Sequence, residues 1–156
     1  MKIDRLRPEP NHMALVIIDE QERLAAAMPE EPLQKVLRYS KVWIDAAREF
    51  DFPVIVTEQY PKGLGPTLPA LQETLQDTQP IEKTCFSCCD EFAFVQALEA
   101  SKARDIVICG MEAHVCVYQT VLDLLEDGRK VFIPADAVCS RTKFSWKNGL
   151  NLMHMA

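Results

Sequence analysis

Cys116, in CGMEAHVCVYQT, stands where an apolar run gives way to a helical pattern. The unpaired backbone N–H groups and dipole of a helix's first turn stabilise an anion, so a thiol there is expected to have a depressed pKa and to be nucleophilic. The plain alternative is a small buried apolar residue, the commonest fate of a free cysteine. Asp19 directly follows the run VII, which brings a carboxylate to a strand end; a helix cap or surface turn is the other reading. Lys83 lies in IEKTCFS after a short apolar step, and an isolated lysine ordinarily reads as solvated surface. His114 is the tempting base for a Cys–His pair, yet residues two apart on a helix point to different faces. A cap or structural role is expected for it. Cys85 and Cys88 form a CxxC pair in CFSCC, suited to thiol–disulfide exchange or to two metal ligands. No second CxxC or suitable His group completes a zinc site.

The elements that must position these residues can be read from apolar patterning. Segments 13–18 (MALVII), 53–57 (PVIVT) and 104–110 (RDIVICG) are short, β-branched and almost wholly apolar, as strands buried on both faces are. KVFIPADA at 130–137 reads as a fourth strand, with Pro134 near its end. In EPLQKVLRYSKVWIDAAREF, residues Leu33, Val36, Leu37, Val42, Ile44 and Ala47 recur at roughly helical spacing. Further helices are expected at 90–101, capped by Asp90 with Phe92, Phe94, Val95 and Leu98 inward, at 114–126, stopping at Gly128, and at 142–155. Strands alternating with helices predict an α/β fold, a central parallel sheet between two helical layers with right-handed crossovers. Such sheets bind ligands outside the carboxyl ends of their strands. Asp19, the loop 59–69 and the residues before Cys116 all fall there.

Composition narrows the classes. The chain of 156 residues fits one domain, and 48% apolar with 26% charged residues is the balance of an ordinary globular protein. Seventeen basic against 23 acidic residues give a net charge of −6, which opposes a phosphate-backbone partner. No run approaches the roughly 18 apolar residues of a membrane span, and the N-terminal MKIDRLRPEPNH lacks the apolar stretch of a secretory signal. Six cysteines in a domain that does not need staples point to reduced thiols and a cytoplasmic setting.

The strings ALVIIDEQERL, TEQYPKGLGPT, EKTCFS, GMEAHVCVYQTVLDLLEDG and ADAVCSR, in this order, resemble the isochorismatase-like cysteine hydrolases over about residues 13–155. The resemblance implies a catalytic triad: Cys116 attacks an electrophilic carbon, Asp19 accepts the thiol proton and returns it to the leaving group, and Lys83 stabilises both anions. It also implies a cis peptide at Met111–Glu112, which turns the Glu112 and Cys116 backbone N–H groups toward a developing oxyanion. Gln21, Gln59 and Tyr60 are the expected substrate-pocket residues.

The chain departs from particular relatives in two places. Nicotinamidase-type members carry a metal-binding Asp-x-His after the second strand, where TEQYPKGLG offers neither residue. No metal and no cofactor are therefore expected, and nicotinamide becomes a less expected substrate. Because a Cys nucleophile with an Asp–Lys pair suits acyl transfer, a small-molecule amide or similar C–N bond is the expected substrate. The sequence also ends at HMA, before the family's C-terminal edge strand, and an uncovered edge favours a homo-oligomer. Two other functions fit these residues: a non-enzymatic interaction protein that retains the scaffold, and a thiol-redox protein using Cys85 and Cys88.

Overall fold

A computed structural model describes residues 6–76 and 78–156. The basic start of the N-terminal segment, residues 1–5, lies outside the described residues, so the signal-peptide expectation is untouched there. Six strands form one sheet: β1 (Met13–Ile18), β2 (Val54–Gln59), β3 (Ile81–Lys83), β4 (Asp105–Met111), β5 (Lys130–Phe132) and β6 (Val138–Cys139). The helices are α1 (Glu22–Ala25), α2 (Glu30–Glu49), α3 (Pro61–Leu64), α4 (Pro69–Leu75), α5 (Phe92–Ser101), α6 (Cys116–Glu126) and α7 (Lys143–Met155).

All sheet pairings between strands are parallel, in the order β3-β2-β1-β4-β5, with β6 alongside the end of β4. Strand order reverses between β1 and β4. The first three strands step outward to one side, and the chain then crosses back to place β4 on the other side of β1, which opens a crevice at the carboxyl ends.

The alternation of side chains along β1 explains the three layers. Leu15 and Ile17 face Ile44 and Ala47 of α2 and Leu71 of α4. Ala14, Val16 and Ile18 face Phe94 and Leu98 of α5, Val117 and Val121 of α6, and Met153 of α7. Burial of both faces is why β1 and β4 carry no polar alternation.

At the crevice β4 and β1 approach closely. Gly110 pairs with Ile18, has φ +128°, and would place a Cβ 2.1 Å from the Ile18 carbonyl oxygen. Only glycine fits there.

The structure differs from the sequence-based expectation in four respects. The strand expected at 130–137 is two strands, because Pro134 ends the ladder and a turn closed by Ala137 N–H to Pro134 O (2.9 Å) re-aims the chain beside Gly110 and Met111. The helix expected from Asp90 begins at Phe92. Residues Cys88–Asp90 form a separate 3₁₀ turn, and Glu91 caps α5 by accepting from Ala93 N–H. Phe92 and Val42 are exposed instead of inward-facing, since each lies off the stripe that meets the sheet. The loop 59–69 contains α3 and the start of α4. Among the described residues, no helix is long and apolar enough to cross a membrane.

Candidate active site

Asp19 occupies the first position after β1 and is fully buried, with a left-handed backbone (φ 53°). Aspartate tolerates that region better than most residues. Its carboxylate is held from two sides: Thr57 Oγ1 donates to Oδ1 at 2.8 Å, and Lys83 Nζ donates to Oδ2 at 2.8 Å. Lys83, last residue of the edge strand β3, is buried too, and its ammonium also donates to Gln59 Oε1 (2.7 Å) and to the carbonyls of Cys85 (3.1 Å) and Phe86 (3.2 Å). Burial alone would lower the Lys83 pKa, but the Asp19 charge and then the neighbouring thiols outweigh it and leave it raised.

Cys116 is the first residue of α6, and its thiol lies near enough to Asp19 and Lys83 to feel both charges. The structure thus brings Asp19, Lys83 and Cys116 into one cluster. It corrects the expectation of a depressed thiol pKa. Burial, reinforced by the Asp19 charge, pushes the Cys116 thiol up to about 12, against the lowering effect of Lys83. A helix N-terminus raises thiolate character only where desolvation does not exceed it.

The Met111–Glu112 peptide is cis. The turn that follows uses the N–H groups of Ala113 (to Cys139 O, 2.8 Å), Val115 and Val117 (both to Glu112 O). The N–H groups of Glu112 and Cys116 take no part in these turn bonds.

The expected pocket residues divide. Gln21 is wholly buried, and its amide is committed to the backbone, donating to Gln59 O and Gly65 O and accepting from Gln59 N–H. It pins the loop after β2 and offers no free polar atom. Gln59 joins the cluster through Lys83, and Tyr60 is exposed at the rim. His114 turns away to Ser140, with Nδ1 and Oγ 3.0 Å apart.

Sequence reasoning missed Thr57 and singled out Cys88 only as half of a CxxC pair. Thr57 lies within β2 in register with Ile18 and closes the apolar run PVIVT in sequence, so a hydroxyl at the end of an otherwise apolar run was the available signal. Cys88 is fully buried, 3.8 Å from Thr57 Oγ1, and Thr120 Oγ1 bridges it to α6 by accepting from Cys88 N–H and donating to Cys116 O. Burial pushes its thiol up to about 12. That is unlike the accessible, acidic thiol of an exchange pair, and all six cysteines are free. Among the described residues, no group of three or more His, Cys, Asp or Glu side chains is placed to hold a metal. A surface cavity of about 520 Å³ beside Lys35, Asp136, Lys143 and Trp146 includes none of the three clustered residues.

A doubly wound parallel sheet carrying a buried carboxylate–ammonium pair against a helix-first cysteine defines a class of α/β protein. The isochorismatase domain matches residues 13–156, and the chain belongs to the isochorismatase family, whose members are generally hydrolases. It is 36% identical over 142 residues to mouse isochorismatase domain-containing protein 2A, covering 90% of this chain and 65% of the relative. The human isochorismatase domain-containing protein 2 is 36% identical over 135 residues, 86% of this chain and 63% of that protein. The chain therefore spans less than two thirds of the length of these curated relatives. Among solved structures, a MAR1 ribonuclease from Caenorhabditis elegans superposes with a TM-score of 0.88 at 40% identity, over 96% of this chain and 76% of that one. YcaC from Pseudomonas aeruginosa, solved with hexane-2,5-diol and covalent acrylamide, gives 0.86 at 25% identity, over 96% and 75%.

Proposed function

We propose that this chain is a metal-independent cysteine hydrolase acting on a small amide or similar C–N bond. The observation that carries it is the buried Lys83–Asp19 contact of 2.8 Å with Cys116, at the first position of α6, beside it. The resting thiol is protonated, and Asp19 is the neighbouring carboxylate that can receive its proton. Transfer to Asp19 leaves a thiolate beside Lys83, which attacks the carbonyl carbon. The Glu112 and Cys116 N–H groups receive the oxyanion. Collapse expels the amine, which takes the proton from Asp19, and water activated by Asp19 then releases the acyl group from Cys116.

The covalent acrylamide in the YcaC neighbour supports a reactive nucleophile in this fold, since acrylamide is captured by addition to its alkene. Assembly into a homo-oligomer is part of the proposal, supported by exposed Phe92, Phe144 and Met155, and light scattering on a sizing column tests it.

The decisive experiment is a screen of small amides with wild type and Cys116→Ala. Turnover by wild type alone is expected; full turnover by the variant overturns the nucleophile assignment. RNA oligonucleotides form a second arm, prompted by the ribonuclease neighbour. The net charge of −6 argues that this arm stays silent. An inert Cys116 with no turnover in either arm favours the scaffold reading.

A further inference from the structure

The turn between β4 and α6 carries both the thiol and the two N–H groups, yet much of what fixes it comes from a distant stretch of chain. Three consecutive residues of the turn are bonded to three consecutive residues after β5. Ala113 N–H donates to Cys139 O at 2.8 Å, His114 Nδ1 lies 3.0 Å from Ser140 Oγ, and the Glu112 carboxylate is gripped by Arg141. Arg141 reaches Glu112 through its backbone N–H (3.0 Å), through Nε to both oxygens (3.1 Å each) and through a terminal nitrogen (2.7 Å). This is the planar fork geometry that a lysine cannot reproduce. Behind the turn Gly149 of α7 lies so close that a Cβ there would stand 2.7 Å from Ala113 O.

The two ends of the ion pair differ in exposure. The Glu112 side chain is 6% exposed and that of Arg141 56%. A buried carboxylate of this kind is costly without its cation. Burial works to raise the Glu112 pKa, and the Arg141 bonds and charge outweigh it, leaving it below the ordinary value.

We propose that Arg141 is a positioning residue for the Cys116 site: acting through Glu112, its guanidinium fixes the 111–116 turn so that the thiol and the two N–H groups keep one geometry. The inference rests on the hydrolase reading above. Arg141 need not touch substrate, so its loss acts on the reacting geometry and not on ground-state binding.

The test uses wild type, Arg141→Ala, Arg141→Lys and the double variant Glu112→Gln/Arg141→Ala, with the amide that Cys116 is found to hydrolyse. Arg141→Ala is expected to lower kcat about ten- to a hundredfold, the cost of a small misplacement at a reacting centre, with KM changed less than about twofold. Arg141→Lys recovers part of the loss. With the guanidinium gone, burial acts on Glu112 against only the backbone N–H of residue 141 and His114, whose Nδ1 lies 4.0 Å from Oε2, so the acid limb of the Arg141→Ala kcat profile moves to higher pH. The double variant, with no carboxyl at 112, loses that displacement.

Wild-type kcat in Arg141→Ala overturns the inference. So does a kcat loss with no displacement of the acid limb, which is what general destabilisation alone would give. Full activity of Cys116→Ala instead removes the hydrolase reading. If no amide is turned over, peptide-level hydrogen exchange decides: faster exchange in residues 112–117 of Arg141→Ala, restored towards wild type by Arg141→Lys, supports the clamp, and unchanged exchange overturns it.

Discussion

Thr57 and Lys83 hold opposite oxygens of the Asp19 carboxylate, each at 2.8 Å. Both donors come from strands on the same side of β1, while Cys116 approaches from β4 on the other side. The carboxylate is therefore oriented by one half of the sheet and presented to a thiol from the other half.

Thr57→Val keeps the shape of the side chain and removes the hydroxyl. A hydrogen bond to a charged group is worth about 1.5–3 kcal/mol, and a loss in that range is expected in urea denaturation. Turnover is expected to fall by about tenfold, equivalent to about 1.4 kcal/mol, because a less oriented carboxylate accepts the thiol proton less well. Unchanged stability and unchanged kcat would show that the Thr57 contact is incidental.

Lys83→Met tests the electrostatic partner. Removing one member of a buried pair costs about 3–5 kcal/mol when the other stays charged. The alkylation profile of Cys116 supplies a second readout. With its thiol pushed up to about 12, the wild-type rate is expected to keep climbing through pH 9 and 10 with no plateau near neutrality. Since Lys83 lowers that pKa, the variant should react still more slowly at pH 9. A wild-type plateau near pH 7 would contradict the burial argument.

Gly110→Ala sets a side chain against the Ile18 carbonyl at 2.1 Å with φ +128°. The clash does not relax without separating β1 from β4, the two strands that lead into Asp19 and into the turn before Cys116. Loss of the cooperative folding transition by circular dichroism is expected. A folded, active variant would mean that the crevice tolerates a wider gap.

The layers were legible because β1 and β4 are apolar on both faces, which requires helices on each side, and Asp19 because strand ends in parallel sheets collect ligand-binding groups. Lys83 alone reads as solvated surface, and only the family resemblance joins it to Asp19 and Cys116. The break after Phe132 was not legible. Ile133 continues the apolar run, and only the pairing of Val138 and Cys139 with the end of β4 shows that Pro134 closes one strand so that another can begin. The Cys116 pKa was misjudged for a related reason. A helix N-terminus is visible in sequence, whereas the desolvation that opposes it depends on the packed cluster that buries Cys116 in three dimensions. Gln21 likewise resembled a pocket residue by position, and only its three bonds to the backbone of residues 59 and 65 reveal a brace.

Glu20, next to Asp19 in sequence, is fully buried, accepts from Ser40 Oγ at 2.6 Å, and has an Oε2 atom without a partner among the described residues. Desolvation, only partly offset by Ser40, pushes its pKa up from 4.5 to about 8. Below pH 4.5 the carboxyl is neutral in the folded and unfolded chains alike, and the group makes no pH-dependent difference. Between about 4.5 and 8 the folded state holds the proton that the unfolded state has released, so stability contributed by this group falls as pH rises. Each pH unit between the two pKa values is worth about 1.4 kcal/mol, which amounts to a few kcal/mol by pH 8. Glu20→Gln carries no titrating proton and keeps an acceptor for Ser40. Its stability relative to wild type, measured by urea denaturation at pH 5, 6.5 and 8, is expected to improve steadily with pH. A difference that stays constant across those three values would show that Glu20 does not titrate in this range and that its buried carboxyl has a partner the structure does not display.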